Sequence, residues 1–157
     1  WEGRKNVTAA ASAGKPMAIM ITVADDGPQG DGAAILKRSV EALHNDDKYE
    51  IHFIALVHTS ATKIIPLLEY YGYEVHVTQD TVSASELRNP HYRNQAVKSG
   101  CCGLKELIKL EAFRMTQFAK VLVIDMDTLV TQRLDDLWDV DVKVAYTTDG
   151  FQTDSLQ

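Results

Sequence analysis

The chain has few cysteines, and the two that it has are adjacent. Cys101 and Cys102 are the only cysteines among 157 residues. Adjacent cysteines are poorly suited to a structural disulfide, and the pair lacks the spacing of a zinc site. The sequence therefore predicts that both pack as small apolar side chains, and it argues against a disulfide-stabilised or zinc-stabilised fold.

Long apolar runs and clusters of positive charge are also missing. The longest apolar run near the start, residues 17–24, is far shorter than the roughly 20 residues that a helix needs to cross a bilayer. The 16 Lys and Arg residues are scattered and the formal net charge is −6, whereas nucleic-acid binding requires clustered basic side chains. We expect no transmembrane segment in this chain and no nucleic-acid partner. An acidic protein that handles phosphates would need a cation to do so.

The common phosphate-binding loops are absent too. Gly27, Gly30 and Gly32 follow the first predicted strand without GxGxxG spacing, and the Lys-Ser/Thr pair of a P-loop is missing. No two histidines have the spacing of metal ligands. The glycine-rich loop is either a place where the backbone approaches a flat ligand closely or a loose connection.

What the sequence does contain is an alternation of strand and helix patterns. Strands are predicted over residues 17–24, 50–58, 73–78, 121–124 and 142–146. Three helices are predicted between the first four strands. The first has an apolar stripe from Ala33 to Leu43, the second is capped by Ser60 or Thr62 and either starts late or is kinked at Pro66, and the third has a stripe from Leu104 to Ala119. This order predicts an α/β, Rossmann-like fold with a mostly parallel central sheet and helices on both faces.

The sequence predicts a short lead-in followed by one domain. Residues 1–15 have no apolar period and are expected to form a flexible lead-in, and residues 16–157 are expected to form part of a single domain. Residues 79–103 are polar and aperiodic over an unusual length, which is typical of a functional or locally mobile loop.

Polar groups are expected to gather at the carboxyl ends of the strands, where ligands bind in such sheets. Asp25 and Asp26 follow the first strand, His58 follows the second, and Asp125 and Asp127 follow the fourth. Lys105 and Lys109, one helical turn apart, predict a solvated helix face on spacing alone.

Asp125 and Asp127 are the most informative of these residues. On extended backbone, side chains at i and i+2 leave the same face, so the two carboxylates could bind one divalent cation. A simple acidic turn at the end of a strand is the alternative. Asp139 and Asp141 have the same spacing without a preceding apolar strand, and are interpreted as part of a solvated acidic turn.

A longer stretch gives this pair its context. Residues 107–130 and 134–138 contain Lys-Leu, a predicted helix ending in Thr-Gln-Phe, an apolar strand, Asp-Met-Asp-Thr-Leu-Val, and Leu-Asp-Asp-Leu-Trp. This run resembles the glycogenin-like group, glycosyltransferase family 8, whose pattern is Thr-Lys-Leu, Thr-Gln-Tyr, a strand, Asp-Ala-Asp-Thr-Leu-Val and Ile-Asp-Asp-Leu-Phe. The resemblance extends more weakly to residues 22–26 and 32–33.

The resemblance implies a fold of the GT-A type, that of nucleotide-diphospho-sugar transferases, and transfer of a hexose from a UDP-sugar donor, with retention of configuration, to a glycan or protein acceptor. It implies Mn²⁺ or Mg²⁺ as cofactor. It also implies that this chain is the nucleotide-sugar-binding part of the domain, with a third, histidine metal ligand and the acceptor part lying beyond its C-terminal end. The residues that fall on the family's metal-binding positions are Asp125 and Asp127, and those on other donor-binding positions are Val23, Asp25, Asp26, Lys109 and Met126.

Two alternatives stay open at this stage. The run ending in Asp125-Met126-Asp127 is also similar to the first motif of haloacid dehalogenase phosphatases, in which Asp125 would be the nucleophile and Asp127 the general acid. The second alternative is a nucleotide-binding module without catalytic activity. It is kept open because Gln29 and Gly100 stand where the family carries a base-stacking tyrosine and a donor-contacting arginine.

Overall fold

The structure is a computed structural model that describes residues 16–28, 30–45, 48–98 and 103–141. Within these ranges the chain forms one four-stranded parallel sheet. Its strands are β1 (Met17–Val23), β2 (Ile51–His58), β3 (Glu74–Thr78) and β4 (Lys120–Val123), in the spatial order β3-β2-β1-β4. The prediction of an α/β fold with a parallel sheet is confirmed.

Strand β1 is the centre of the sheet because its sequence is apolar on both sides. Every residue of β1 is buried except the half-buried Thr22, and the strand pairs with β2 along its whole length and with β4 over residues 17–20. A continuous apolar run of this kind is typical of a parallel strand covered on both faces. Strand β1 therefore has a neighbour on each side and a packed layer above and below.

The two faces of the sheet carry different layers. On one face α1 (Gly30–Leu43) and α2 (Ile65–Tyr70) pack against Ile19, Ile21 and Val23 through residues such as Leu36 and Leu68. On the other face the 3₁₀ helix Gly103–Arg114 and the residues after it cover β1 and β2. The buried members of this second cluster are Ala18, Met20, Ile54, Leu56, Ile108, Met115 and Phe118. Helices on both faces are therefore confirmed.

Two elements differ from the sequence expectation, and a third takes one of the two forms expected. The stripe around Ile108 predicts an α-helix, but the segment is a 3₁₀ helix over Gly103–Arg114. The aperiodic stretch after β3 contains the 3₁₀ turn Ala84–Glu86 and the helix α3 (Pro90–Lys98), which has no buried residue and hence no apolar period to reveal it. Pro66 lies in the first turn of α2, where its missing N–H costs nothing, so the helix starts late instead of kinking.

The acidic segment near the end of the described chain is structural and not simply solvated. It forms the short helix α4 (Asp135–Asp139), whose Trp138 is buried in the main core. Asp139 accepts a hydrogen bond from the Tyr49 hydroxyl at 2.5 Å and pairs with Lys48 at 3.1 Å. The sequence predicts a solvated acidic turn here. Asp139 is indeed exposed, but it lies in a helix and not in a turn, and the pattern did not show that Trp138 packs inward.

Several predictions fall outside the described residues. These are the lead-in over residues 1–15, the packing of Cys101 and Cys102, and the fifth strand over residues 142–146. Gln29 and Gly100 also lie outside them. Among the described residues, no helix is both long enough and apolar enough to span a membrane.

Candidate functional site

The strand order places a topological switch point between the carboxyl ends of β1 and β4, and the region between the segments that follow these strands is called the crevice below. From β1 the chain moves outward to β2 and β3 and then returns to β4 on the other side of β1. The segments that follow β1 and β4 therefore start next to each other and lead in different directions. Such a switch point is where open parallel sheets bind their ligands. Asp25 and Asp26 lie in the loop after β1, and Asp125 and Asp127 lie in the turn after β4.

These two segments touch at Gly32 and Met126. A Cβ atom added to Gly32, in the first turn of α1, would lie 2.8 Å from the backbone oxygen of Met126 and 3.3 Å from its carbonyl carbon. The α1 backbone thus approaches the turn to a distance that leaves no room for a side chain. Because Met126 stands between Asp125 and Asp127, this contact fixes the acidic turn against the start of α1.

Asp125 and Asp127 lie beyond the last residue of β4, in the turn that follows it. Strand β4 ends at Val123, pairing continues through the Ile124 N–H to the Met20 carbonyl at 3.0 Å, and the Thr128 N–H then donates to the Asp125 carbonyl at 3.2 Å. Exposure nevertheless alternates here as it does along a strand, so both acids lie on the same, exposed side of the turn.

The side chains of this turn alternate in exposure. Asp125 and Asp127 are exposed, while Met126 between them is half-buried and packs against the main core. Neither carboxylate makes a hydrogen bond or ion pair with another described residue. Met126 therefore anchors the turn while both acids face outward and are available to a ligand.

The donor set suits a hard divalent cation. Mg²⁺ is typically held by one or two carboxylates together with substrate phosphates and water, and Mn²⁺ also prefers oxygen ligands. The turn supplies two carboxylates, and no group of three or more His, Cys, Asp or Glu side chains that could hold a metal occurs among the described residues. The site fits an ion whose remaining ligands come from a phosphate-bearing molecule and from water.

Asp25 is tied to the opposite layer of the fold. The Lys105 ammonium, 80 residues away in sequence, donates to Asp25 Oδ1 at 2.6 Å, and the Ser60 hydroxyl lies 3.4 Å from the same atom. The hydrogen bond from Lys105 is the main reason that the pKa of the Asp25 carboxyl is lowered. Asp25 is therefore ionised at neutral pH, with its charge balanced by a lysine at the rim of the crevice.

The other predicted donor-site residues differ in their contacts and in their burial. Asp26 accepts a hydrogen bond from the Lys63 N–H at 3.0 Å. Val23 is the last residue of β1 and its side chain is fully buried in the core, so only its backbone can line a ligand. Lys109, four residues after Lys105 in the 3₁₀ helix, pairs with Glu106 at 2.8 Å.

We predict that Lys105→Met raises the pKa of Asp25 towards its ordinary value. A lowered folded-state pKa contributes stability above the unfolded value of about 3.9, and this contribution is lost as pH falls through the folded-state pKa. Lys105→Met should therefore be less stable than the unchanged protein at pH 7, and the difference should vanish once Asp25 is protonated. Carboxyl ¹³C NMR titration and thermal unfolding across pH measure both effects. Lys63→Met, an exposed lysine at the same edge, is the control and should shift neither.

Lys105 and Ser60 are the residues that sequence reasoning missed. Spacing placed Lys105 on a solvated helix face, and Ser60 looked like a helix cap. In the structure Ala61 is the N-cap residue of the 3₁₀ helix Thr62–Ile64, with no side-chain hydrogen bond. The Ser60 hydroxyl instead donates to the Ala24 carbonyl at 3.0 Å. The one available signal was that Ser60 follows His58 directly after a strand, at the edge where ligands bind.

Comparisons with known proteins give structural neighbours only. No protein-family model matches the sequence, and no curated protein matches it. Among solved structures, the chain is similar to an active-site mutant of LgtC, with 24% identity and a TM-score of 0.49 over 80% of this chain and 42% of that chain. It is also similar to mouse xyloside xylosyltransferase 1 in its apo form, with 15% identity and a TM-score of 0.41 over 80% of this chain. The chain spans 42% and 46% of the lengths of these two solved chains.

Proposed function

We propose that this chain is the nucleotide-sugar-binding part of a metal-dependent glycosyltransferase. Its donor is a UDP-sugar, it transfers a hexose to a glycan or protein acceptor, and it works with Mn²⁺ or Mg²⁺. The observation that carries the proposal is the contact between Gly32 and the Met126 carbonyl, because it holds the acidic turn against the start of α1, the helix that follows the loop after β1. The residues that the resemblance assigns to the metal and to the nucleoside then follow β1 and β4, two neighbouring strands of the sheet.

The charge at this crevice supports a ligand that brings a cation with it. Asp25, Asp26, Asp125 and Asp127 all lie at the carboxyl ends of β1 and β4. A bare diphosphate would be repelled by four carboxylates, whereas a diphosphate bound through a divalent ion would be attracted to the two that have no partner among the described residues. The pairing of Asp25 with Lys105 further reduces the negative charge that the nucleotide meets.

In the proposed reaction the chain's own residues bind and orient the donor. Asp125 and Asp127 hold the cation, and Asp25, Asp26 and the backbone at Val23 line the nucleoside. Met126 offers its backbone and Lys109 contacts the donor, as the resemblance implies. A bound divalent cation supplies Lewis-acid stabilisation of the charge that develops on the departing diphosphate.

Titration of UDP with and without Mn²⁺ tests the binding part of this proposal. We expect saturable binding by calorimetry when Mn²⁺ is present, and a large loss of affinity when EDTA removes the ion. Donor hydrolysis or transfer, assayed on the full chain with a panel of UDP-hexoses and acceptors, tests the catalytic part. Metal-dependent binding without turnover of any donor would favour the non-enzymatic nucleotide-binding module.

The phosphatase alternative has a weaker structural basis. Its motif opens the phosphatase fold, but here β1, β2 and β3 precede the strand that carries Asp125. Thr128 also stands where that motif has glycine. Release of phosphate from p-nitrophenyl phosphate, lost in Asp125→Asn and independent of any nucleotide sugar, would replace our proposal with that one.

A further inference from the structure

The segment after β2 holds three consecutive residues of the loop after β1. Ser60 donates its hydroxyl to the Ala24 carbonyl at 3.0 Å and lies 3.4 Å from Asp25 Oδ1. The Lys63 N–H donates to Asp26 Oδ1 at 3.0 Å. Pairing of β1 with β2 ends at Val23 and Val57, so the Ala24 carbonyl is already beyond the sheet. The Ser60 hydroxyl, from the segment after β2, gives the Ala24 carbonyl the hydrogen bond that strand pairing no longer supplies.

His58 fixes the position of Ser60. Its Nδ1 accepts the Ser60 backbone N–H at 3.1 Å and lies 2.7 Å from the Ser60 hydroxyl oxygen. The other ring nitrogen, Nε2, faces Asp80 Oδ1 at 3.3 Å. The ring is only 9% exposed. A buried imidazole with partners on both nitrogens has one orientation, and it transmits that orientation to Ser60.

The backbone around Ser60 is held equally firmly. The Ala61 N–H donates to the His58 carbonyl at 2.8 Å, which closes a turn, and the Thr59 N–H donates to Thr78 at the end of β3 at 3.0 Å. The turn is thus built on β2 and β3. It is a fixed support against which the loop after β1 is set.

We propose that Ser60 and His58 are positioning residues for the nucleoside half of the donor site. This inference rests on the proposed function, because Ala24, Asp25 and Asp26 matter only if that loop lines the nucleotide. The Ser60 hydroxyl fixes the position of the backbone where it leaves β1, and His58 fixes the position of Ser60. Neither residue touches the metal turn, so their loss should weaken nucleotide binding and leave cation binding unchanged.

The test compares substitutions that remove the hydroxyl with one that keeps it. Ser60→Ala should raise the Kd for UDP in the presence of Mn²⁺ by about tenfold, the equivalent of one well-placed hydrogen bond to a preorganised site. Ser60→Thr keeps the hydroxyl and should restore most of the affinity. His58→Asn keeps an acceptor near Nδ1 and should bind better than His58→Ala. Ser85→Ala removes an exposed hydroxyl paired with Ser83 and is the matched control.

Hydrogen exchange gives a readout that does not depend on nucleotide. In Ser60→Ala the Asp25 and Asp26 amides should exchange faster, while amides in β1 and β2 keep their protection. If UDP binds the unchanged protein and Ser60→Ala binds equally well, the inference is wrong and the proposed function stands. If the unchanged protein binds no UDP with Mn²⁺, the proposed function fails and the inference fails with it.

Discussion

Asp125→Asn and Asp127→Asn are each expected to abolish measurable Mn²⁺-dependent binding of UDP. Changes to outer-shell partners of metal ligands cost about 10- to 100-fold in metal affinity, so loss of a direct carboxylate ligand should cost at least about 100-fold. Asparagine keeps the size of the side chain but removes the charge. Because both side chains are exposed and bond to no other described residue, the melting temperature should not change.

The chain contains its own control for this experiment. Asp139 and Asp141 repeat the spacing of Asp125 and Asp127, but Asp139 is engaged by Tyr49 and Lys48. Asp139→Asn should lower the melting temperature and leave UDP binding unchanged, and the exposed Asp141→Asn should alter neither. Equal UDP affinity in the unchanged protein and in both Asp125→Asn and Asp127→Asn would remove these acids from the site.

Gly32→Ala is expected to weaken nucleotide binding although it favours the helix. Alanine in place of glycine stabilises a helix by up to about 1 kcal/mol. Here the new methyl group would lie 2.8 Å from the Met126 carbonyl oxygen, so the acidic turn must move away from α1. A displacement approaching 1 Å at a binding site can cost up to about 100-fold, and we expect a loss of at least about tenfold in UDP affinity. Calorimetry with Mn²⁺ measures it.

Gly30→Ala, two residues earlier in the same helix, is the matched control. Its Cβ would lie 2.4 Å from Leu67 Cδ2, which is the end of a flexible side chain that is 39% exposed and able to rotate away. UDP affinity should therefore be preserved. A Gly32→Ala protein that binds UDP as well as Gly30→Ala does would show that the contact between the two segments is irrelevant to the ligand.

The sheet could be predicted from the sequence because its strands are short apolar runs bounded by polar and turn residues. The expected limits of β1 and β4 agree with the structure to within one residue. Helix α1 was equally visible, since Ala33, Leu36 and Val40 form its buried stripe. In each case burial imposes a period on the sequence.

Helix α3 escaped prediction because it has no apolar period. Helix α3 buries none of its residues and is marked only by Pro90 in its first turn and by Asn89, whose side chain accepts the His91 N–H at 2.9 Å. The 3₁₀ form of Gly103–Arg114 is not encoded in its apolar stripe, which fits an α-helix equally well, and we have no physical account of that choice.

The candidate site, like the fold, could be predicted from the sequence only in part. That Asp25, His58 and Asp125 would gather at one edge followed from strand order alone. The pairing of Lys105 with Asp25 and the reach of Ser60 to Ala24 join segments 80 and 36 residues apart, and no local pattern records such contacts. The direction of each side chain at this edge became visible only with the fold.

The most direct test of the account is paramagnetic broadening of backbone amide signals by Mn²⁺, with Mg²⁺ as the diamagnetic reference. We expect sub-stoichiometric Mn²⁺ in the presence of UDP to broaden the amides of Asp125 to Thr128 first, and those of Asp25, Asp26 and Gly32 across the crevice next. Asp125→Asn should remove the effect at both segments. Broadening centred on α4, or signals at the acidic turn that Mn²⁺ leaves sharp, would contradict the claim that this turn binds the cation of a nucleotide sugar.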